Sequence, residues 1–583
     1  MIFERREVSK IDCMQMINTD RRMQIGIILL LGLVLIGIYG SNIKNINTVW
    51  ELADEAGYLC NAAYLSGTDW SDVATTIPYY GYGYSIVLIP LFFLCKNGVQ
   101  LIRGAICINI ICVFILYFLQ IYVISAMFKK LEKAVIALFS FLVCLQPYLM
   151  GNSFNVRCES FLTMWLWLIA ELLIITLKNQ KIINYSFLAL ATVFIFFIHT
   201  RAIIVAGVVW IILLGLTLKK DISIKNIICY SIIFVVGFLL LFKLKKSIIT
   251  TSMHLVVDDS TTNTNLLSVD YIRQRIQWLL VDYKLYIIAF GSKILYSIFS
   301  TGGMILYGFK EMVYQIRDTY INKNIIKNAT CVYFFLCFVF MMMACTLNGV
   351  GDADNFAYLF YGRYYEYTIS VFIFMGLYSA VYVEKNNMEI INILVTIFTG
   401  IVTGLAGRIF LTSDEIHVDV CRIPGFSSLV PQDGSFNTLV LHCVMCSALA
   451  LSITYFLRSK NKLKVLIPAI IFVLFINIDS KSVDVIKDIN EKAHGDVGVA
   501  EYILEHSDKE VNFVDSNYKY EGYYSRMQVL IKDKKLKVIP NQDMSQIDKG
   551  TYFITYMSSE LGKKYENEGK LVKKGAVFGV YQN

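Results

Sequence analysis

The sequence predicts a polytopic α-helical membrane protein of about thirteen spans that ends in a small extracytoplasmic α/β domain. Three observations carry that prediction. Of 583 residues, 56% are hydrophobic and only 17% charged, where a soluble chain carries about 25% charge. The apolar residues fall into runs long enough to cross a bilayer, which takes roughly 20 residues of helix. Small groups of Lys and Arg collect at alternate ends of those runs, as the positive-inside rule requires. The net charge of +8 is therefore an orientation signal, and no nucleic-acid partner is expected.

The first run, Met23 to Ile43, is uncharged, follows Arg21 and Arg22, and ends in Tyr39-Gly40-Ser41-Asn42 without a small-x-small cleavage site. It reads as an uncleaved first helix with a cytoplasmic N-terminus. Further spans are expected at 104–128, 134–150, 161–177, 182–198, 202–218, 226–242, 290–309, 329–348, 367–383, 390–407, 437–457 and 463–478. His199-Thr200-Arg201 splits the long stretch 182–218 into two helices. Inside loops then carry Lys129, Lys130 and Lys133; Lys178 and Lys181; Lys219, Lys220 and Lys225; Lys310, Arg317, Lys323 and Lys327; and Arg458, Lys460, Lys462 and Lys464. Outside loops carry mostly single cations, Arg157, Arg201 and Arg363, with Lys243, Lys245 and Lys246 against the trend. Glu171 lies inside the fourth helix, where a charge is costly, and snorkelling towards Lys178 or Lys181 accounts for it.

Two outside segments are long. In 44–103, the apolar piece Tyr84 to Cys95 is too short to span and is expected to be juxtamembrane or re-entrant; in 243–289, Asp270 to Leu285 has the pattern of an amphipathic surface helix. An odd number of spans places 479–583 outside, as a domain distinct from the membrane module 1–478. There, strands at 510–515, 536–540 and 551–556 alternate with helices at 499–506, 523–531 and 558–568, the mark of a small α/β unit. Most of the 14 cysteines, such as Cys107, Cys112, Cys144 and Cys446, lie in apolar runs and read as small buried hydrophobes. No CxxC pair suggests zinc.

Chemistry-bearing residues gather just beyond the first helix. The segment reads Trp50-Glu51-Leu52-Ala53-Asp54-Glu55-Ala56-Gly57-Tyr58, then Gly67-Thr68-Asp69-Trp70, then Tyr79-Tyr80-Gly81-Tyr82-Gly83-Tyr84. A carboxylate at the membrane–water boundary can take a proton from an acceptor hydroxyl within hydrogen-bond reach, although most acidic pairs in loops are merely solvated. This pattern resembles the first outside loop of GT-C glycosyltransferases, closest to the protein O-mannosyltransferase and lipid A aminoarabinose transferase (family 39-like) branch. The layout covers most of the chain; the sequence likeness is confined to about residues 50–95.

The resemblance implies a glycosyltransferase of the plasma membrane. It would move a sugar from a polyprenyl-phosphate donor to a glycan, lipid or protein acceptor on the outer face, with no firm cofactor. It implies Asp54 as general base, with Glu55 either sharing that task or orienting the loop. Glu159 in Asn155-Val156-Arg157-Cys158-Glu159-Ser160 matches the second acidic position, its bland alternative being a polar helix cap. Tyr361-Gly362-Arg363-Tyr364-Tyr365-Glu366 is similar to the family's Arg-Tyr entry into a later helix. Tyr58, Arg201, Arg363 and Tyr364 are then the substrate-binding candidates. Arg363 is favoured for the donor phosphate, Lys243, Lys245 and Lys246 are held in reserve, and interfacial anchoring is the bland reading. One departure matters: the branch's Lys before paired prolines has no counterpart in Gly81-Tyr82-Gly83-Tyr84, with Pro78 alone upstream.

Asp414-Glu415-Ile416-His417-Val418-Asp419 has ligand types that could hold a divalent cation, though a solvated loop is the simpler expectation and no metal site is assigned. The rival readings are a flippase or transporter, which asks for facing polar groups near the midplane, and a polymerase of lipid-linked glycans. The sequence leaves donor sugar and acceptor open.

Overall fold

The computed structural model describes residues 20–49, 52–74, 81–252, 269–349, 359–385, 389–410, 423–426, 428–429, 435–507, 510–515 and 523–583. The helices of the first half are α1 (Arg21–Gly40), α2 (Leu52–Ser66), α3 (Ser71–Ala74), α4 (Tyr82–Leu94), α5 (Gly98–Met127), α6 (Lys133–Cys144), α7 (Pro147–Ser153), α8 (Glu159–Asn179), α9 (Ile182–Ile198), α10 (Ile203–Leu218) and α11 (Ile224–Ser252). There follow α12 (Val269–Val281), α13 (Tyr283–Ser300), α14 (Met304–Ile321), α15 (Ile325–Gly349), α16 (Ser370–Tyr382), α17 (Ile390–Phe410), α18 (Phe436–Ser459) and α19 (Ile467–Lys492). The chain is a multi-pass membrane protein. Its outermost helices show why: only 17% of the span Arg21–Asn45 and 11% of Ile224–Leu244 is buried, so these apolar surfaces need lipid against them.

Every predicted span falls on helical structure. Among the described residues, eight helices are long and apolar enough to cross a bilayer, or ten if each of two bent pairs is one span. Ile182–Ile198, Ser370–Tyr382 and Ile390–Leu405 are shorter apolar helices, so the length criterion stops short of thirteen. The stretch Tyr84 to Cys95 is α4, a helix of 13 residues, too short to span upright.

The bent pairs correct two predicted straight spans. Within 134–150 the axis turns by 57° between α6 and α7. Pro147 opens α7 and Gln146 before it is extended, φ −60° and ψ 141°, because proline excludes its predecessor from the helical region. Within 290–309 the axis turns by 104° between α13 and α14. Gly302 and Gly303 make that corner at φ 57° and 79°, left-handed values that glycine adopts without strain. Lys310 and Arg317, read as loop cations, are therefore helical residues of α14.

The C-terminal domain is α/β, as expected. Helix α20 (His494–His506) precedes β1 (Glu510–Asp515), α21 (Tyr523–Ile531), β2 (Lys535–Pro540), β3 (Tyr552–Tyr556), α22 (Glu560–Asn567), β4 (Leu571–Lys574) and β5 (Phe578–Gln582). The sheet order is β2-β1-β3-β5-β4. Strand β1 runs parallel to β2 and β3, while β5 is antiparallel to β3 and β4. Helix α19 runs unbroken from its apolar half through residue 478 into this segment, so a continuous helix joins membrane module and domain.

Candidate active site

Each site residue is placed by a helix start or a helix break. Asp54 and Glu55 occupy the first turn of α2, where the helix dipole favours carboxylates. Glu159 opens α8. Helix α9 stops at His199, which is extended at φ −154°, and the His199 ring accepts the backbone N–H of Arg201 at 3.3 Å. Arg363 lies in the turn that leads into a 3₁₀ turn at Glu366–Thr368. Tight contact locks α4 onto the end of α9. A Cβ on Gly81 would sit 2.3 Å from the carbonyl oxygens of Phe197 and Ile198, so only glycine fits there.

These separate pieces converge on one chain of charges. The Nη1 of Arg363 donates to Oδ2 of Asp54, and its Nε donates to Oε1 of Glu159 at 2.6 Å. The same Glu159 oxygen accepts from Nη2 of Arg201 at 3.2 Å. The Arg201 guanidinium lies over the Tyr364 ring, 4.6 Å from its centroid, a cation–π contact; Tyr361 packs on Tyr364 with centroids 4.5 Å apart. Glu159 and Arg363 are buried and the Arg201 side chain is 8% exposed, whereas the Asp54 side chain is 17% exposed. Asp54 is thus the carboxylate of this chain that a substrate can reach.

Three guanidiniums, those of Arg363, Arg201 and Arg157, act on Glu159. Two carboxylates, Asp54 and Glu159, face them. Two further N–H groups of Arg201, on Nε and Nη1, are buried and have no hydrogen-bond partner among the described residues. A buried donor left unmatched is costly, so this corner suits an anion. Burial opposes the charge on Arg363, but Asp54 and Glu159 outweigh it and keep the guanidinium firmly protonated.

The structure brings together Asp54, Glu159, Arg201, Arg363 and Tyr364, and places Glu55 and Tyr58 beside them in other contacts. Glu55 is buried, and its Oε1 accepts the backbone N–H of Val156 at 2.7 Å. This contact ties helix α2 to the loop before α8, as the orienting alternative for Glu55 requires. Tyr58 is fully buried and donates to Cys158 Sγ at 2.8 Å, with its ring edge-on to Tyr84 at 5.2 Å. It packs behind the Glu159 end of the charge chain, beside Cys158. The Cys158 thiol is pushed up to about 12 by burial and is an inert acceptor here. Lys243 is exposed on α11, and the side chains of Lys245 and Lys246 lie outside the described residues.

Two neighbours were not singled out from the sequence. Arg157, read as a plain loop cation, is fully buried, with Nη1 3.4 Å from Asn152 Oδ1. Its position two residues before Glu159 was the available signal. Glu366, three residues after Arg363, is buried, and burial raises its carboxyl to about 8 against a hydrogen bond from Tyr296. Among the described residues no three His, Cys, Asp or Glu side chains come together as a metal group; the cluster 414–419 lies outside them.

The fold is shared with solved structures. ArnT (lipid A aminoarabinose transferase) from Cupriavidus metallidurans bound to undecaprenyl phosphate superposes with a TM-score of 0.53 at 10% identity, over 95% of this chain and 98% of that one. Its apo state gives 0.52 at 11% identity, over 96% and 98%. The archaeal oligosaccharyltransferase AglB from Archaeoglobus fulgidus, in complex with an inhibitory peptide and a dolichol-phosphate, gives 0.45 at 9%, over 93% and 70%. No family model matches the sequence, and no curated protein matches it. The fold is therefore that of the ArnT structures over nearly the whole of both chains.

Proposed function

We propose that this chain is a membrane glycosyltransferase that moves a sugar from a polyprenyl-phosphate donor to an acceptor hydroxyl on the outer face, with inversion. The observation that carries the reading is the Asp54–Arg363–Glu159–Arg201 chain, drawn from four distant segments. It sits on a fold that ArnT uses in a structure bound to undecaprenyl phosphate. In the reaction, Asp54 accepts the proton of the acceptor hydroxyl as its oxygen bonds to the anomeric carbon. The bond from that carbon to the phosphate oxygen breaks, and its electron pair leaves with the phosphate. No acid is needed for a leaving group already charged; cations must meet it instead.

For the donor phosphate, we favour Arg201 over Arg363 on the geometry. Arg363 is held by two carboxylates and orients Asp54, whereas Arg201 keeps two buried donors for a phosphate. Guanidinium suits that task because two parallel N–H groups match two oxygens. Glu159 then sets both arginines. A transporter would place its charged groups near the midplane; here Glu159 and Arg201 stand at the starts of helices.

Mass spectrometry of lipid-linked sugars and surface glycans in cells carrying the wild-type chain or Asp54→Asn tests the reading. The variant should accumulate a polyprenyl-phosphate sugar and lose one glycan modification. Identical profiles would overturn it.

A further inference from the structure

Both flanks of the helix that bears Asp54 are tied to the C-terminal segment. Upstream, Asn490 near the end of α19 is buried, and its Oδ1 accepts the N–H of Asn47 at 2.6 Å and of Thr48 at 3.0 Å. Downstream, the buried Trp70 donates from Nε1 to the carbonyl of Lys532 at 2.8 Å, with its ring edge-on to Phe92 at 5.5 Å. The Lys535 ammonium lies 3.1 Å from Asp69 and 3.3 Å from Asp72. Asp72 uses its other oxygen to accept the N–H of Val538 on β2 at 3.3 Å. Helix α21 also abuts the start of α5: a Cβ on Gly98 would sit 2.1 Å from the Val529 carbonyl oxygen.

Helix α2 is therefore a beam fixed at 47–48 and again at 69–72, and the C-terminal segment supplies both anchors. The charge pair in between needs that support. A carboxylate that must meet both a guanidinium and an acceptor hydroxyl tolerates only about 0.5 Å of misplacement, and misplacement of about 1 Å can cost roughly a hundredfold in rate. The two downstream contacts differ in kind. The Trp70 bond is shielded, while Lys535 and Asp69 are 26% and 60% exposed, so salt screens that arm.

We propose that Trp70 and Lys535 are positioning residues, through which the C-terminal domain holds the first outer segment so that Asp54 stays in register with Arg363. Its catalytic consequence rests on the reading of Asp54 as base; the latch itself does not. The domain is thereby part of the catalytic unit, and its detachment disarms a site to which it contributes no reacting group.

The test is amide hydrogen exchange of the full chain in lipid nanodiscs, followed on peptides covering 52–66, with 552–556 and 578–582 as reporters of the domain's own fold. Combining Trp70→Phe with Lys535→Ala should speed exchange across 52–66 by roughly tenfold, the scale of losing one buried hydrogen bond and one ion pair, and leave the sheet reporters unchanged. Lys535→Arg in place of Lys535→Ala, on the same Trp70→Phe background, should recover only the smaller part of the protection, since it still reaches both carboxylates but the exposed pair is the weaker arm. Unchanged exchange at 52–66 would overturn the proposal, and so would a rise shared equally by the sheet. The readout involves no sugar transfer. An Asp54→Asn chain that kept full activity would remove the base and leave the latch standing, whereas unchanged exchange would remove the latch and leave the base.

Discussion

Replacing Glu159 by Gln separates the roles of the two site carboxylates by stability as well as by activity. Glu159 is fully buried, and one oxygen serves Arg363 at 2.6 Å and Arg201 at 3.2 Å. Removing one partner of a buried ion pair costs about 3–5 kcal/mol, because the other charge is stranded. The amide oxygen recovers one hydrogen bond to a charged group, worth about 1.5 kcal/mol, which leaves a loss of about 1.5–3.5 kcal/mol. Asp54→Asn should cost less, about 1 kcal/mol, because Asp54 is partly solvated and Arg363 retains Glu159. The assay is thermal unfolding of purified protein followed with a thiol-reactive dye; Cys158, Cys144 and Cys331 are buried and report the opening of the bundle. Glu159→Gln should unfold well below wild type and below Asp54→Asn. A wild-type melting profile for Glu159→Gln, or the reverse order of the two variants, would refute the view that Glu159 is the hub of the charge chain.

Asp54→Asn should fold and insert yet lose transfer by about 10²–10⁴-fold, the usual worth of a general base; residual turnover above about a tenth would reduce Asp54 to a substrate anchor. Arg201→Lys should lower turnover more than donor affinity, since Lys cannot reproduce the paired donors on a phosphate whose charge grows in the transition state, and normal kinetics would clear Arg201 of that task. Glu366 is held near 8 by burial, so the folded chain keeps a proton that the unfolded chain releases above the ordinary carboxylate range. Stability should therefore fall as pH rises from about 5 to 8, by at most about 1.4 kcal/mol per unit, and Glu366→Gln should flatten that window; parallel melting curves for both chains across it would contradict the assignment. An impermeant thiol reagent on intact cells should label Lys549→Cys or Glu568→Cys and spare Lys130→Cys, and the opposite pattern would put Asp54 on the inner face.

Hydropathy located the long apolar helices because burial in lipid leaves a composition signature that needs no partner, but not the polar helices α2 and α3 or the second half of α14. The breaks were also written in the chain, as Pro147 and Gly302-Gly303, but a sliding apolar window passes over both. Strands β4 and β5 both escaped notice: β4, Leu571-Val-Lys-Lys574, is a charged, exposed edge strand without the alternation that marks a half-buried one, and β5, Phe578-Gly-Val-Tyr-Gln582, is a short, mostly buried strand that does not alternate either. Asp54 and Glu55 could have been separated by geometry alone. Successive residues on a helix point about 100° apart, given 3.6 residues per turn, so the two meet different partners, Asp54 the Arg363 guanidinium and Glu55 the Val156 amide.

Pairing is what no local pattern holds. Arg363 meets Asp54 across 309 residues and Glu159 across 204. Each of these charges was visible as an oddity at the end of an apolar run, and each taken singly has a cheap explanation as a cap, an anchor or a solvated loop. Buried at the edge of a membrane module, none of Glu159, Arg201 or Arg363 is tolerable alone, because a desolvated charge must be matched. Their presence in one closed chain makes them conditions for each other. An Arg363 anchored at the interface would leave Glu159 with Arg201 and Arg157, and Asp54 without the guanidinium it now faces. The site is part of what selects this packing of helices, and that is why its carboxylates should differ in stability before they differ in rate.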